Sequence, residues 1–204
     1  MLEVTNLQCV RGERSLFDSL SFQLKAGECV LLQGENGSGK TSLLRVLVGL
    51  TPPAAGTVCW NGLTIKEWGD GYGRELLYCG HSPGLKENLS ATENLIFGSA
   101  LADVQLSSSA IYEALHHAGL QGREHLPVRA LSQGQKRRVN LAKLLLQKRA
   151  LWLLDEPLTA LDARASRWAI ELIDRHLDNG GIAVLTTHQD MKLAHATQTV
   201  RVGA

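Results

Sequence analysis

The amino-acid sequence predicts an α/β fold with a mainly parallel sheet, an antiparallel β subdomain at the N-terminus and an α-helical insertion. Three observations support this prediction. Over most of the 204 residues, short apolar runs alternate with segments of helical periodicity, as they do where helices cover both faces of a parallel sheet. The N-terminal segment alternates apolar and polar residues, which is typical of half-buried antiparallel strands. Residues 90–126 have helical spacing throughout.

The individual elements follow from these patterns. Alternation predicts antiparallel strands at residues 2–7 and 20–24. Short apolar runs predict strands at 29–32, 76–79, 151–154, 182–186 and 199–202. Helical periodicity predicts helices at 42–50, at 134–147 and after Asp162, whose carboxylate is suited to cap the last one.

The helical insertion is expected to be a subdomain of a single domain that spans residues 1–204. Within it, Ser107 or Ser108 could begin a helix and Gly119 could end it. We expect residues 1–89 and 128–204 to form the core with its β subdomain, and residues 90–127 to form the helical subdomain.

Composition argues against several classes of function. Lys and Arg number 21 against 20 Asp and Glu, a net charge of +1, so no positive field is available to hold nucleic acid and we expect no nucleic-acid partner. The four cysteines form no C-x-x-C pair, which argues against a zinc site or haem attachment and favours reduced thiols. No secretory signal begins the chain, and no stretch approaches the ~20 apolar residues of a membrane span. We therefore expect any membrane role to come through a partner.

The segment between the predicted strand 29–32 and helix 42–50 fits the phosphate-binding pattern G-x-x-x-x-G-K-[ST]. Its residues are Gly34, Glu35, Asn36, Gly37, Ser38, Gly39, Lys40 and Thr41, with Ser42 at the start of the helix. Glycines let backbone N–H groups turn toward phosphate oxygens, and a helix N-terminus adds partial positive charge. We expect Lys40 to reach the β- and γ-phosphates and Thr41 to bind Mg²⁺. The alternative is a glycine-rich surface turn with an exposed lysine.

This loop predicts a P-loop NTPase core with ATP and Mg²⁺ as cofactors. A guanine-reading N-K-x-D motif is absent from the sequence, which weighs against GTP. The predicted strand 151–154 ends in two acids, Asp155 and Glu156. Because successive strand residues point to opposite sides, the two acids take different tasks. Asp155 is suited to hold Mg²⁺, directly or through water, and Glu156 to polarise the attacking water.

The segment Leu131-Ser132-Gln133-Gly134-Gln135 resembles the LSGGQ signature of ABC ATPases in four of five positions, and the sequence is identified as a member of that family. Ser132 and the Gly134 backbone lie at a predicted helix N-terminus, a site suited to an anion. The resemblance implies that these residues and Gln135 bind the γ-phosphate of ATP held by a second subunit, in a homodimer. The basic residues that follow, Lys136 and Arg137, are interpreted as the solvated face of the helix.

Two further segments resemble family motifs. Thr159-Ala160-Leu161-Asp162 resembles the D-loop, where the resemblance implies that the two subunits meet. His188, within Leu185-Thr186-Thr187-His188-Gln189-Asp190, matches the switch histidine that contacts the γ-phosphate and helps to position water. Histidine offers an N–H donor in either charge state. The resemblance thus implies Lys40, Glu156 and His188 as the catalytic residues.

Three positions depart from the family pattern. His81 stands where the Q-loop glutamine normally joins Mg²⁺ and water to the transporter contact, and histidine can replace glutamine as a ligand or donor. Gln133 replaces a glycine of the signature. Arg11, which precedes Lys40 by 29 residues, stands where many relatives have an aromatic ring against adenine. A guanidinium plane can also stack on a base.

The protein resembles the ATP-binding subunits of the haem exporter in bacterial cytochrome c maturation. The resemblance lies in the short chain, in Arg11 and in the amino-acid sequence of residues 78–86. That resemblance implies an ATPase that powers transport, docked as two copies on integral-membrane subunits at the cytoplasmic face of the inner membrane, with no regulatory domain after Ala204. The alternatives are the ATPase of another bacterial exporter, a soluble ABC-type ATPase acting on ribosomes or DNA, and a module that senses ATP without hydrolysing it.

Overall fold

The computed structural model of the protein describes residues 1–12, 14–188, 191–195 and 197–203. The chain divides into two compact units. The first unit comprises Met1–Gly80, Arg149–Glu156 and Ile173–Ala204, and the second comprises His81–Lys148 and Pro157–Leu172. The chain therefore passes from the first unit into the second and back twice.

The first unit contains the strands of two sheets. In chain order the strands are β1 (Leu2–Arg11), β2 (Arg14–Leu24), β3 (Cys29–Gln33), β4 (Ala55–Trp60), β5 (Leu63–Thr64), β6 (Leu76–Cys79), β7 (Leu151–Asp155), β8 (Ile182–Thr186) and β9 (Thr197–Arg201). The helices are α1 (Lys40–Leu47), α2 (Ile65–Trp68), α3 (Ala91–Leu101), α4 (Ser108–His117), α5 (Gln133–Leu146) and α6 (Ala163–Asp178), and 3₁₀ helices cover Gly69–Arg74 and Val128–Ala130.

An antiparallel sheet is formed near the N-terminus, in the strand order β2-β1-β4-β5. Leu2, Val4 and Leu7 of β1 are buried while Thr5 is exposed, which confirms the predicted alternation. Both predicted strands are longer than the sequence pattern indicated, because their pairing continues as far as Arg11 and Arg14.

The second sheet is parallel and has the strand order β6-β7-β8-β3-β9. Every residue of β7 and β8 is buried, as predicted for strands that are covered on both faces. Because β7, β8 and β3 are parallel neighbours, the segments that follow them meet at one edge of the sheet. In open α/β sheets this carboxyl edge is where ligands bind.

The second unit is helical and has its own apolar core. This core includes Leu95 of α3, Ile111 and Leu115 of α4, and Val139 of α5. Of the two serines considered as caps for α4, Ser107 is the one whose hydroxyl accepts from a backbone amide, that of Ala110. The second unit contains the segment 90–127 and adds α5 and the start of α6; the boundaries of the predicted subdomain stay a prediction.

The cysteines are free thiols, as expected. Cys9, Cys29 and Cys79 are buried and Cys59 is half-buried. Burial raises the pKa of the Cys29 thiol to about 12, so that thiol stays protonated and unreactive near neutral pH. Among the described residues, no helix has both the length and the apolarity that crossing a membrane would require.

Candidate active site

The loop between β3 and α1 has a backbone that depends on glycine. Gly39 is the N-cap of α1 and has a left-handed φ of 107°. A Cβ on Gly34 would lie 2.3 Å from the Val202 carbonyl oxygen and 2.6 Å from the Ser38 hydroxyl oxygen, so no other residue fits there without a shift. Helix α1 begins at Lys40 and ends at Leu47, earlier at both ends than predicted, because Gly39 turns the chain directly into the helix.

Lys40 lies inside this loop. Its side chain belongs to a residue only 7% exposed, and its ammonium donates to the carbonyl oxygens of Gly34 at 2.7 Å and Glu35 at 2.9 Å. A lysine on a surface turn would be solvated, so burial excludes that alternative. An ammonium has three N–H donors, and the loop carbonyls hold this one at the place where a phosphate would lie against the α1 N-terminus.

Most of the other loop residues are exposed. Glu35, Asn36, Gly37 and Thr41 are exposed and Ser42 is half-buried in the first turn of α1. The Ser38 backbone amide donates to the Glu35 carbonyl at 3.2 Å, which closes the turn. Exposed backbone at Asn36 and Gly37 leaves the tip of the loop accessible to a ligand.

Asp155 joins the loop to the neighbouring strands. It is 2% exposed, and its two carboxylate oxygens accept from Thr41 Oγ1 at 2.9 Å and from Thr186 Oγ1 at 2.6 Å. Hydroxyl and carboxylate oxygens are ligands that suit Mg²⁺, which usually keeps waters and phosphate oxygens in its remaining positions. Within the described part of the chain, no group of three or more His, Cys, Asp or Glu could hold a metal. The donor set at Thr41 and Asp155 therefore fits a nucleotide-bound cation better than a protein-only cage.

Glu156 lies just beyond the end of β7. Its backbone is in the left-handed region, with φ 49°, and its amide donates to Thr186 Oγ1 at 2.8 Å. Different tasks for Asp155 and Glu156 stay a prediction, but the strand alternation on which it was based does not extend to Glu156. The strand ends at Asp155, so a turn, and not the alternation of a strand, sets the direction of Glu156.

His188 completes this group of residues. Its Nε2 is 3.1 Å from Glu156 Oε1, with side chains that are 39% and 22% exposed. A carboxylate only accepts hydrogen bonds, so a hydrogen bond at this distance would need the proton on Nε2. A continuous series of contacts thus runs from Thr41 through Asp155, Thr186 and Glu156 to His188. Gln189 and Asp190, which complete the predicted switch segment, lie outside the described residues.

In the second unit, the predicted anion site lies at the N-terminus of α5. Ser132 is the N-cap, its hydroxyl accepts from the Gln135 amide at 3.2 Å, and the Gln135 side chain accepts from the Ser132 amide at 2.9 Å. Both side chains are therefore engaged in a capping box. A Cβ on Gly134 would lie 2.5 Å from the Ala160 carbonyl oxygen, so the helix start packs directly on the predicted D-loop.

Asp162 caps α6, as predicted. Its Oδ1 accepts from the Ala165 amide at 2.8 Å. That bond, aided by the charge of Arg138, lowers the pKa of the Asp162 carboxyl. The carboxylate is thus ionised and engaged with its own helix.

The solvated-face interpretation is wrong for Arg137. That residue is 4% exposed, and its Nε donates to the Pro157 carbonyl oxygen at 3.4 Å. Lys136 forms an ion pair with Glu87 at 3.0 Å. The basic run lies at a helix start, where the sequence pattern alone could not distinguish a buried face from a solvated one.

His81 and Arg11 are both exposed. His81 follows β6 closely in the chain but belongs to the second unit, and its role as a ligand stays a prediction. A cavity of about 820 Å³ opens beside the P-loop. Arg14, Phe17 and Arg201 line it, whereas Arg11 does not. Arg14 was not predicted to line a cavity, because motif spacing pointed to Arg11. In the structure Arg14 pairs with Arg11 across the two strands, and it is Arg14 that lines the cavity.

Comparison with known proteins identifies the family of the chain. The family model described as ABC transporter matches residues 17–159. The cytochrome c biogenesis ATP-binding export protein CcmA of Pseudomonas aeruginosa is 52% identical over 204 residues, which is 100% of both chains. The protein of that name from Vibrio vulnificus strain YJ016 is 48% identical over 191 residues, covering 94% of this chain and 93% of the relative.

Solved structures share the fold. An ABC transporter ATP-binding protein from Pyrococcus furiosus superposes with a TM-score of 0.85 at 23% identity, covering 98% of this chain and 96% of its own. A dimeric ATP-binding cassette in a post-hydrolysis state with ADP and Pi superposes with a TM-score of 0.82 at 23% identity, covering 93% and 88%.

Proposed function

The chain belongs to the ABC transporter ATP-binding family, within the group of cytochrome c biogenesis ATP-binding export proteins, and we propose that it binds MgATP and hydrolyses it to power export. The observation that supports this best is the series of contacts from Thr41 to His188. It joins the cation ligands and the residues suited to activate water at the carboxyl edge of one sheet.

Nucleotide binding is assigned to the loop from Gly34 to Ser42. Backbone N–H groups of the loop and the start of α1 face the phosphates, and Lys40 supplies a buried positive charge. Thr41 and Asp155 would hold Mg²⁺, which when bound neutralises charge on the phosphate oxygens. The adenosine part of the nucleotide is assigned to the side of the loop near the β1–β2 hairpin, with Arg11 retained as a candidate for contact with the base.

Hydrolysis is assigned to Glu156 and His188. The Glu156 carboxylate accepts a hydrogen bond from the attacking water and polarises it. His188 holds that carboxylate through Nε2–H. Movement of the His188 ring toward the γ-phosphate would provide a hydrogen-bond donor to a γ-phosphate oxygen. Thr186 fixes both acids at once, because its hydroxyl donates to Asp155 and accepts from the Glu156 amide.

Assembly is assigned from family membership. Two copies would form a homodimer in which Ser132, the Gly134 backbone and Gln135 at the start of α5 approach the γ-phosphate held by the other copy, with Asp162 near the subunit boundary. The dimer would dock on integral-membrane subunits at the cytoplasmic face of the inner membrane, with His81 linking Mg²⁺ and water to the transporter contact. We propose haem as the substrate class, and residues 90–127 as the helical subdomain.

A genetic test addresses the transport role. In cells that lack the gene, covalent attachment of haem to c-type cytochromes should fail, and the wild-type gene should restore it. Lys40→Ala and Glu156→Gln should not restore it, although both proteins accumulate. Normal c-type cytochromes in the deletion strain would reject the proposed pathway.

A biochemical test addresses the ATPase itself. The purified chain should hydrolyse ATP only with Mg²⁺, and Glu156→Gln should lower turnover by ~100-fold or more. ATP hydrolysis near the wild-type rate in Glu156→Gln would reject the assigned mechanism, independently of the genetic result.

A further inference from the structure

The phosphate-binding loop lies against the two residues that follow β9, and both segments belong to the first unit. In the parallel pairing of β3 with β9, Gln33 is opposite Arg201. The next amide, that of Val202, donates to the Gln33 carbonyl oxygen at 2.8 Å, and Val202 is 2% exposed. The pairing therefore brings Val202 and Gly203 alongside the loop that begins after β3.

Two glycines permit this close contact. A Cβ on Gly34 would lie 2.3 Å from the Val202 carbonyl oxygen and 2.6 Å from Ser38 Oγ. A Cβ on Gly203 would lie 2.9 Å from Ser38 Cβ. Each of these separations is shorter than a real Cβ adopts, so a side chain at either position must displace its neighbours. Gly34 belongs to the phosphate-binding motif, whereas Gly203 belongs to no motif identified in the sequence.

Ser38 is the residue of the loop that meets this segment. Its amide donates to the Glu35 carbonyl oxygen at 3.2 Å. Its hydroxyl oxygen is buried and has no hydrogen-bond partner among the residues that the structure describes. The side chain is thus placed by packing against Gly34 and Gly203, and not by a hydrogen bond of its own.

The shape of the loop at Ser38 matters for binding phosphate. The backbone N–H groups of such a loop bind an anion only when they point toward the same place. Ser38 lies between Gly37 and Gly39, neither of which has a side chain that could hold the loop. Contact with Gly203 holds the middle of the loop from outside, and a loop that is already ordered loses less entropy when its ligand binds.

We propose that Gly203 is a positioning residue for the phosphate-binding loop, acting through Ser38. The inference rests on the proposed function, in which this loop binds the phosphates of ATP. A side chain at position 203 pushes Ser38 away and turns the N–H groups of the loop from their common direction. Bound phosphates can restore the shape of the loop, so the cost appears in the affinity for ATP and not in the rate of the bound complex.

Three substitutions isolate the contact. Gly203→Ala introduces the Cβ. Gly62→Ala is the matched control, because Gly62 has φ 83° and Gly203 has φ 92°, so both variants place a side chain in the left-handed region. At Gly62 the new Cβ has no heavy atom within 4 Å. Ser38→Gly removes the atom with which the new Cβ at position 203 would collide.

The experiment measures the Kd of a fluorescent nucleotide analogue, and KM and kcat for MgATP, with the purified chain. We expect Gly203→Ala to raise Kd and KM by about 10-fold, with kcat within about twofold of wild type. Gly62→Ala should change neither Kd nor KM. In the Ser38→Gly background, Gly203→Ala should change Kd by less than about twofold, since the two residues then no longer collide.

Three results would overturn the proposal: wild-type affinity in Gly203→Ala, an equal loss of affinity in Gly62→Ala, or the full loss in the Ser38→Gly background. A Gly203→Ala protein that does not fold would overturn it as well, because the glycine would then support the fold and not the loop. The proposed function fails separately, if Lys40→Ala binds the nucleotide as tightly as the wild type.

Discussion

The carboxyl edge of the parallel sheet and the start of α5 use polar side chains in opposite ways. At the sheet edge, Thr41, Asp155 and Thr186 come from three separate segments, and both hydroxyls donate to the Asp155 carboxylate. At the start of α5, Ser132 and Gln135 bond to the backbone of their own helix. The sheet edge therefore presents side-chain chemistry, whereas α5 presents backbone N–H groups and helix charge.

This difference determines what a substitution should do. A change of side chain at the sheet edge removes a charge or a ligand from the reaction itself. A change at α5 alters how the helix begins and how closely its backbone can approach a neighbour. The predictions below test this contrast, from the largest expected effect to the smallest.

Lys40→Ala should have the largest effect on binding. It removes a buried ammonium held by two loop carbonyls, and hydrogen bonds from charged groups are worth about 1.5–3 kcal/mol each, so ATP affinity should fall by about 100-fold. Fluorescence titration with a nucleotide analogue measures the dissociation constant. Lys66→Ala, at an exposed position, is the matched control. Unchanged affinity in a folded Lys40→Ala protein would contradict the assignment of the loop.

Gly134→Ala should have a different effect. The new Cβ would lie 2.5 Å from the Ala160 carbonyl oxygen, so α5 or the D-loop segment must shift. ATP hydrolysis should fall by about 10-fold, while ATP affinity of the monomer stays the same. Gly98→Ala is the control, since its Cβ would make only an ordinary 3.7 Å contact with Lys143. A loss of monomer affinity equal to that of Lys40→Ala would remove the contrast between the two regions.

A smaller effect is expected from the protonation of His176, which should lower the free energy of unfolding at acidic pH. Its ring stacks on Trp152, with centroids 3.8 Å apart, and burial lowers its pKa to about 4. Well above pH ~6.5 the histidine is neutral in both the folded and the unfolded chain. Its protonation therefore does not lower the free energy of unfolding there. As the pH falls toward 4, the unfolded chain takes up the proton first, so the free energy of unfolding decreases by about 2 kcal/mol after allowance for partial exposure.

Thermal unfolding between pH 7 and pH 4.5 measures this dependence. His176→Phe keeps the stacking and should lose part of the decrease. His117→Gln, at an exposed position, should keep all of it. Equal slopes in the three proteins would assign the acid sensitivity to other groups.

Much of the fold was predictable because its patterns are local. The buried strands and the helices begin or end within a few residues of the predicted places, and the cap at Asp162 follows from one side chain and its own helix. Strands β4 and β5 were not predicted, because they are short and their burial depends on pairing with β1.

The candidate site was predictable where a motif fixes a residue to a strand end. Lys40, Asp155, Glu156 and His188 all lie at the carboxyl edge, as expected. The burial of Arg137 depends on tertiary packing, and the position of Arg14 at the cavity depends on how β1 pairs with β2. Neither produces a periodic pattern of apolar and polar residues in the sequence.

Glu156→Gln tests the central claim most directly. Glutamine keeps the size of the side chain and a carbonyl acceptor but loses the base, so turnover should fall by ~100-fold or more. ATP binding and ATP-dependent dimerisation should persist, and both are measured on the same preparation as hydrolysis. Hydrolysis near the wild-type rate at saturating ATP would contradict the account and move the role of base to another residue, with His188 the next candidate.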